Sequence, residues 1–155
     1  MSVNRGKQFE QVIKEAFEKV SRVSVDRLHD QTTGYKGSSN ICDFIVYKYP
    51  YQFYIECKTV HGNTLPFSNI TNTQWNGLLE KSKINGVMAG VICWWVDKDV
   101  TKFISIDILE YEKSIKEAKS VRYDIPCAIE LTGKKKRVFF DYDMEKFFKQ
   151  FQIDV

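Results

Sequence analysis

The sequence predicts one α/β domain, a mixed β-sheet flanked by helices, and three observations carry that prediction. Near the N-terminus, Phe9, Val12, Ile13, Ala16, Phe17 and Val20 recur at helical spacing, the signature of an amphipathic helix. Two aromatic and β-branched runs, Phe44 to Tyr47 and Phe53 to Ile55, flank Tyr49-Pro50 and read as a hairpin. Val87 to Val96, with Trp94 and Trp95, is apolar almost throughout, as in a strand buried on both faces.

The remaining elements follow in order. Val23 to Leu28 alternates loosely, as a short strand would, and Asp30 to Asn40 has the Gly, Ser and Thr content of a polar loop carrying Tyr35 and Lys36. Beyond the hairpin, Thr71 or Asn72 can cap a helix running through Gln74, Trp75, Leu78 and Leu79 to Lys83, closed by Asn85-Gly86. Asp97-Lys98-Asp99 turns the chain into a strand over Lys102 to Ile106. A helix is expected over Ile108 to Ala118, a weak strand over Ile125 to Leu131, and a basic turn over Gly133 to Arg137 leading to a strand from Val138 to Asp141. A last amphipathic helix from about Asp143 carries Met144, Phe147, Phe148 and Phe151.

Composition narrows the function. With 155 residues, 43% of them hydrophobic, the chain is long enough for one substantial core, and no repeat or linker divides it. A net charge of +3 permits a nucleic-acid partner without requiring one. Cys42, Cys57, Cys93 and Cys127 are far apart and form no C-x-x-C pair, so reduced thiols in a cytoplasmic protein are expected. His29 and His61 are isolated, which argues against zinc, and no run reaches membrane-spanning length, so no membrane partner is expected.

Chemistry concentrates in the hairpin. On a strand, Glu56 and Lys58 project to one face and Cys57 to the other. Asp43 opens the first strand, and antiparallel pairing returns it beside the end of the second. Two carboxylates so close repel unless a hard cation lies between them, and Mg²⁺ prefers one or two carboxylates completed by waters and phosphate oxygens. A lysine beside them can orient the attacking water and offset phosphate charge. These parts suit metal-dependent hydrolysis of a phosphodiester.

Asp43, Glu56-x-Lys58, the upstream helix with Glu10 and the downstream helix with Gln74 together resemble the PD-(D/E)xK nuclease superfamily, with its restriction-endonuclease-like fold. Glu56-Cys-Lys-Thr followed by Thr64-Leu-Pro-Phe, Ile70 and Gln74 most resembles the RecU-type Holliday junction resolvases. The resemblance spans roughly Asn4 to Ser105. It implies that Asp43, Glu56 and the main-chain carbonyl of Cys57 ligate Mg²⁺, with Mn²⁺ as a substitute, and that Lys58 positions the water. It further implies that Glu10 holds a water or a second cation, that Gln74 braces the site, and that a homodimer cuts a four-way DNA junction symmetrically, leaving 5′ phosphates, in a bacterial or phage-infected cell. The chain departs from the bacterial RecU pattern at Ile41-Cys42, where hydroxyl residues precede the aspartate, and in lacking a long stalk between the first helix and the motif.

Other residues admit blander readings. Asp107 followed by Glu117-Ala-Lys119 repeats the motif in a charge-rich helical segment, where residues two apart diverge, and is dismissed. Thr64 and Ser68 could contact phosphate or simply make a turn. Lys134, Lys135, Lys136 and Arg137 could bind backbone phosphates or be solvated, and Tyr35 and Lys36 could touch DNA or belong to a connector. Trp94 and Trp95 are expected in the core, and His29 and His61 are not required as bases. Two alternatives stay open: a restriction-type or general endonuclease on linear duplex, and a DNA-binding scaffold without chemistry.

Overall fold

The computed structural model describes residues 4–28 and 40–155; the loop with Tyr35, Lys36 and His29 lies outside them. Helix α1 (Arg5–Glu18) forms over the N-terminal stripe, and the Asn4 side chain caps it by accepting from the Lys7 N–H at 3.1 Å. Strands β1 (Ser24–Arg27), β2 (Phe44–Lys48) and β3 (Tyr51–Val60) pair antiparallel, with Phe44 opposite Ile55 and Arg27 opposite Phe44. The short β4 (Thr64–Pro66) leads to α2 (Asn72–Ser82), and the chain returns as β5 (Val87–Trp95), parallel to β3. After β6 (Val100–Ser105) and α3 (Ile106–Ser114), β7 (Ser120–Arg122) pairs with β4, and β8 (Ile129–Glu130) adds to the sheet edge. A small hairpin of β9 (Gly133–Lys135) and β10 (Phe140–Tyr142) precedes α4 (Met144–Lys149).

The main sheet runs β1-β2-β3-β5-β6-β8, with β3 and β5 parallel and the other neighbours antiparallel. Alternation along β5 splits the core in two. Ile92 and Trp94 join Phe9, Ile13 and Phe17 of α1 and Phe147 and Phe148 of α4 on one face. Val91, Cys93 and Trp95 join Trp75 and Leu78 of α2 and Leu109 of α3 on the other. A strand covered on both sides must be apolar at every position, which is why Val87 to Val96 shows no polar face.

Three details differ from the sequence reading. The strand expected over Ile125 to Leu131 shrinks to Ile129–Glu130, and α3 stops at Ser114, with Glu117 beyond it in the left-handed region at φ 56°. The decoy lysine and glutamate therefore lie past the helix rather than in it. The basic run is not all turn: Gly133–Lys135 is itself a strand, and its partner starts at Phe140 rather than Val138. Gly133 permits this pairing, because a Cβ there would collide with the Asp141 carbonyl. Among the described residues no helix is long and apolar enough to cross a membrane, and Cys42, Cys57 and Cys93 are buried free thiols.

Candidate active site

The hairpin brings Asp43, Glu56 and Lys58 together. Asp43 stands one residue before β2, tied in by its N–H to the Ile55 carbonyl at 3.0 Å, and its Oδ2 accepts from the Cys57 N–H at 2.8 Å. Glu56 is 4% exposed, and its Oε2 takes two donors, Lys58 Nζ and Gln74 Nε2, each at 3.1 Å. The Cys57 side chain turns to the opposite face, into the core against α1. Strand geometry directs its carbonyl to the same edge as its N–H, beside Asp43.

Gln74 occupies two roles at once. Thr71 caps α2, with its Oγ1 accepting from the Gln74 N–H and its own N–H donating to Gln74 Oε1, both at 3.1 Å. This reciprocal capping box fixes the amide so that its remaining donor meets Glu56. The start of α2 is thereby locked to the end of β3.

Electrostatics follow from burial. Desolvation, reinforced by the neighbouring Asp43 charge, pushes Glu56 up to about 8, against the opposing pull of Lys58. Asp43 is also raised by burial, opposed by the Cys57 N–H and by the charges of Lys58 and Arg27. Two adjacent acids, one buried and one half-buried, both raised in this way favour whatever neutralises them, and a divalent cation would neutralise both. Glu56 Oε1, moreover, is buried without a hydrogen-bond partner. An unsatisfied buried carboxylate oxygen beside a second carboxylate is a donor set of the kind Mg²⁺ takes, so these residues fit that ion. Among the described residues no group of three or more His, Cys, Asp or Glu side chains is arranged around one metal position. Mg²⁺ does not require one, since waters and substrate phosphates complete its shell.

Glu10 is placed differently from the other carboxylates. Its Oε2 accepts from Arg27 Nη2 at 2.7 Å. Arg27 pairs with Phe44, whose side chain lies in the α1 core, so the Arg27–Glu10 pair occupies the α1 face of the sheet. Glu56, Lys58 and Gln74 lie on the α2 face. Arg27 is the residue the sequence reading missed. Its charge reaches both Glu10 and Asp43, but the register that puts it one position from Asp43 joins segments far apart in sequence and has no local signal.

The remaining candidates spread outward. Thr64 opens β4 opposite Arg122, and Ser68 lines a surface cavity of about 660 Å³ with Thr71, Trp75 and Lys113. Lys134 and Lys135 lie on β9, and Lys136 and Arg137 line a groove beside α1. His61 is exposed and accepts or donates through Nδ1 to Asp97 Oδ1 at 3.1 Å. Trp94 and Trp95 are buried, as expected of core residues.

The chain matches no known family model and no curated protein sequence. Among solved structures it is similar to Hjc, a Holliday junction resolvase from the archaeal hyperthermophile Archaeoglobus fulgidus, with a TM-score of 0.57 and 15% identity over 79% of this chain and 92% of that one. The fold is resolvase-like. At this identity the likeness speaks for the six-stranded mixed sheet and its flanking helices, and the RecU-type resemblance rests on the sequence motif alone.

Proposed function

We propose that this chain is a Mg²⁺-dependent, structure-selective DNA endonuclease, a Holliday junction resolvase that cuts a four-way junction symmetrically as a homodimer. The observation that carries the proposal is the buried Glu56 beside the half-buried Asp43, with Lys58 and Gln74 converging on one Glu56 oxygen, in a resolvase-like sheet. A structural ion pair has no use for a second, half-buried carboxylate that raises the first one's pKa. The arrangement is costly unless an ion or a substrate relieves it.

Asp43, Glu56 and the Cys57 carbonyl would hold Mg²⁺, or Mn²⁺ in its place, which when bound supplies charge for a phosphate oxygen and acidifies a bound water. The chain's own residues do the positioning. Gln74 holds Glu56 Oε2, leaving Oε1 free to act. Lys58 carries its ammonium beside the same carboxylate, where it orients the water attacking phosphorus and offsets negative charge on the phosphate. The bond to the 3′ oxygen breaks, leaving a 5′ phosphate and a 3′ hydroxyl. Arg27 spreads its charge between Asp43 and Glu10, and from the α1 face Glu10 would hold a water or a second cation.

The test incubates the protein with an end-labelled four-way junction and with linear duplex of the same arms, in Mg²⁺ and in chelator. Paired symmetric cuts in the junction alone, dependent on Mg²⁺, are expected. Cleavage of both substrates would make the chain a general endonuclease, and binding without cuts in any divalent metal would make it a scaffold.

A further inference from the structure

The geometry points to a second DNA-contacting surface, in which the β9–β10 hairpin and the start of α1 form a track for the phosphate backbone of a duplex arm leaving the active site. It rests on the endonuclease reading above for its ligand, and on the distribution of charge for its place.

The hairpin and the site share one end of the sheet. α1 runs against the strands, so Phe9 packs on Trp94 near the end of β5 with ring centroids 5.7 Å apart, while Phe17 packs on Phe147 at the other end. Arg5, one turn before Phe9, lies over the Phe139 ring at 5.8 Å. Beyond Lys58, β3 runs on to His61, about 10 Å away at 3.3 Å per residue, and His61 meets Asp97 just after β5. Two residues later, Asp99 holds Lys135 of the hairpin at 2.9 Å.

Along α1 and the hairpin three acids are answered within the chain, Glu15 is met only by the Gln11 amide at 2.9 Å, and several bases are left over. Asp97 accepts from the Gly62 N–H at 2.7 Å and meets His61, Asp99 holds Lys135, and Asp141 holds Lys19 at 2.6 Å. Among the described residues, Arg5, Lys134, Lys136 and Arg137 have no carboxylate within ion-pair distance. Arg5, Lys19, Lys136 and Arg137 line a groove of about 790 Å³ between α1 and the hairpin, together with the acids Glu15 and Asp141. Four cations against two acids leave the groove net positive, which suits a partner with regularly repeated negative charge, as a duplex backbone presents.

The hairpin is also held in place before any partner arrives. Lys135 is fixed by Asp99 and by the Val138 carbonyl at 2.9 Å, and the Gly133–Asp141 approach admits no side chain at 133. A fixed ledge loses little freedom when it binds, so its charges contribute more than those of a loose tail.

The experiment measures affinity for junction and duplex in chelator as a function of salt. Each phosphate contact contributes about 0.9 to the slope of log affinity against log salt, so Lys136→Ala/Arg137→Ala is expected to be shallower than the parent by about 2, and Arg5→Gln by about 1. Lys83→Ala/Lys149→Ala removes the same charge at the opposite end of the sheet and is expected to keep the parental slope. Arg5 lies on a different element, so it decides the matter if the hairpin variant fails to fold. Equal slopes for parent, hairpin and Arg5 variants would overturn the proposal, as would an equal loss in the opposite-end control or a parent that binds no DNA. A parent that binds with the predicted slopes but cuts no DNA in Mg²⁺ would overturn the endonuclease reading and leave the track standing.

Discussion

Gln74 Nε2 lies 3.1 Å from Glu56 Oε2, while the same amide's oxygen accepts from the Thr71 N–H that begins α2. One side chain thus starts a helix correctly and holds an acid of the candidate site. Gln74→Ala is expected to cost about 1 kcal/mol of stability through the lost cap, and to slow cleavage as well. Gln74→Glu can still accept from Thr71 but brings a third carboxyl against Glu56 in place of a donor, so it should lose at least as much activity and recover the cap's stability only at low pH, where the carboxyls are protonated. Chemical denaturation beside single-turnover cleavage separates the two effects.

Removing either acid should stop the chemistry without removing the DNA. Asp43→Asn and Glu56→Gln are expected to lower the cleavage rate by about 10³-fold or more, while junction affinity in chelator stays level or tightens, because anionic charge has been lost. Quenched-flow cleavage and anisotropy titrations give both numbers. An Asp43→Asn protein that cuts at the parental rate would place the site elsewhere.

The Glu56 carboxyl gives the fold a pH dependence of definite sign. Its folded value of about 8 stands above the ordinary 4.5, so the folded protein binds this proton more tightly than the unfolded chain does. The stability it contributes is full below about 4.5 and is lost as pH rises through about 8. In chelator, Glu56→Gln should therefore gain on the parent between roughly pH 6 and pH 9, by on the order of 2–3 kcal/mol at 1.36 kcal/mol per unit. Saturating Mg²⁺ should stabilise the parent more at the upper end of that range, where the ion no longer competes with a proton. Thermal melts across pH with and without the metal test both statements; a variant that tracks the parent at every pH would remove Glu56 from the buried pair.

Arg27 links Glu10 to the neighbourhood of Asp43. Arg27→Ala leaves a partly buried carboxylate without its 2.7 Å donor, at a cost of about 1 kcal/mol in stability. It also takes a cation from Asp43, so the pH at which activity appears should move upward relative to the parent. Arg27→Lys, which restores charge without the fork, should recover the pH profile more fully than the stability. An activity profile unmoved by Arg27→Ala would confine this arginine to a structural role.

Much of this site could be read locally. Antiparallel pairing across a two-residue turn ties Asp43 to the end of β3, and the period of two along that strand separates Glu56 and Lys58 from Cys57 whatever the rest of the chain does. The stripe on α1, the Thr71 cap and the uniformly apolar β5 are likewise properties of short segments, set by helical spacing, side-chain acceptors and burial on two faces. Tertiary structure alone decided what depends on register between distant segments. Arg27 could be put beside Asp43 only by pairing β1 with β2, segments far apart in sequence, and the packing of α1 on the opposite face of the sheet set Glu10 away from Glu56. The basic run likewise became a hairpin ledge only because Gly133 met Asp141 and Lys135 met Asp99, contacts that no period in the sequence encodes.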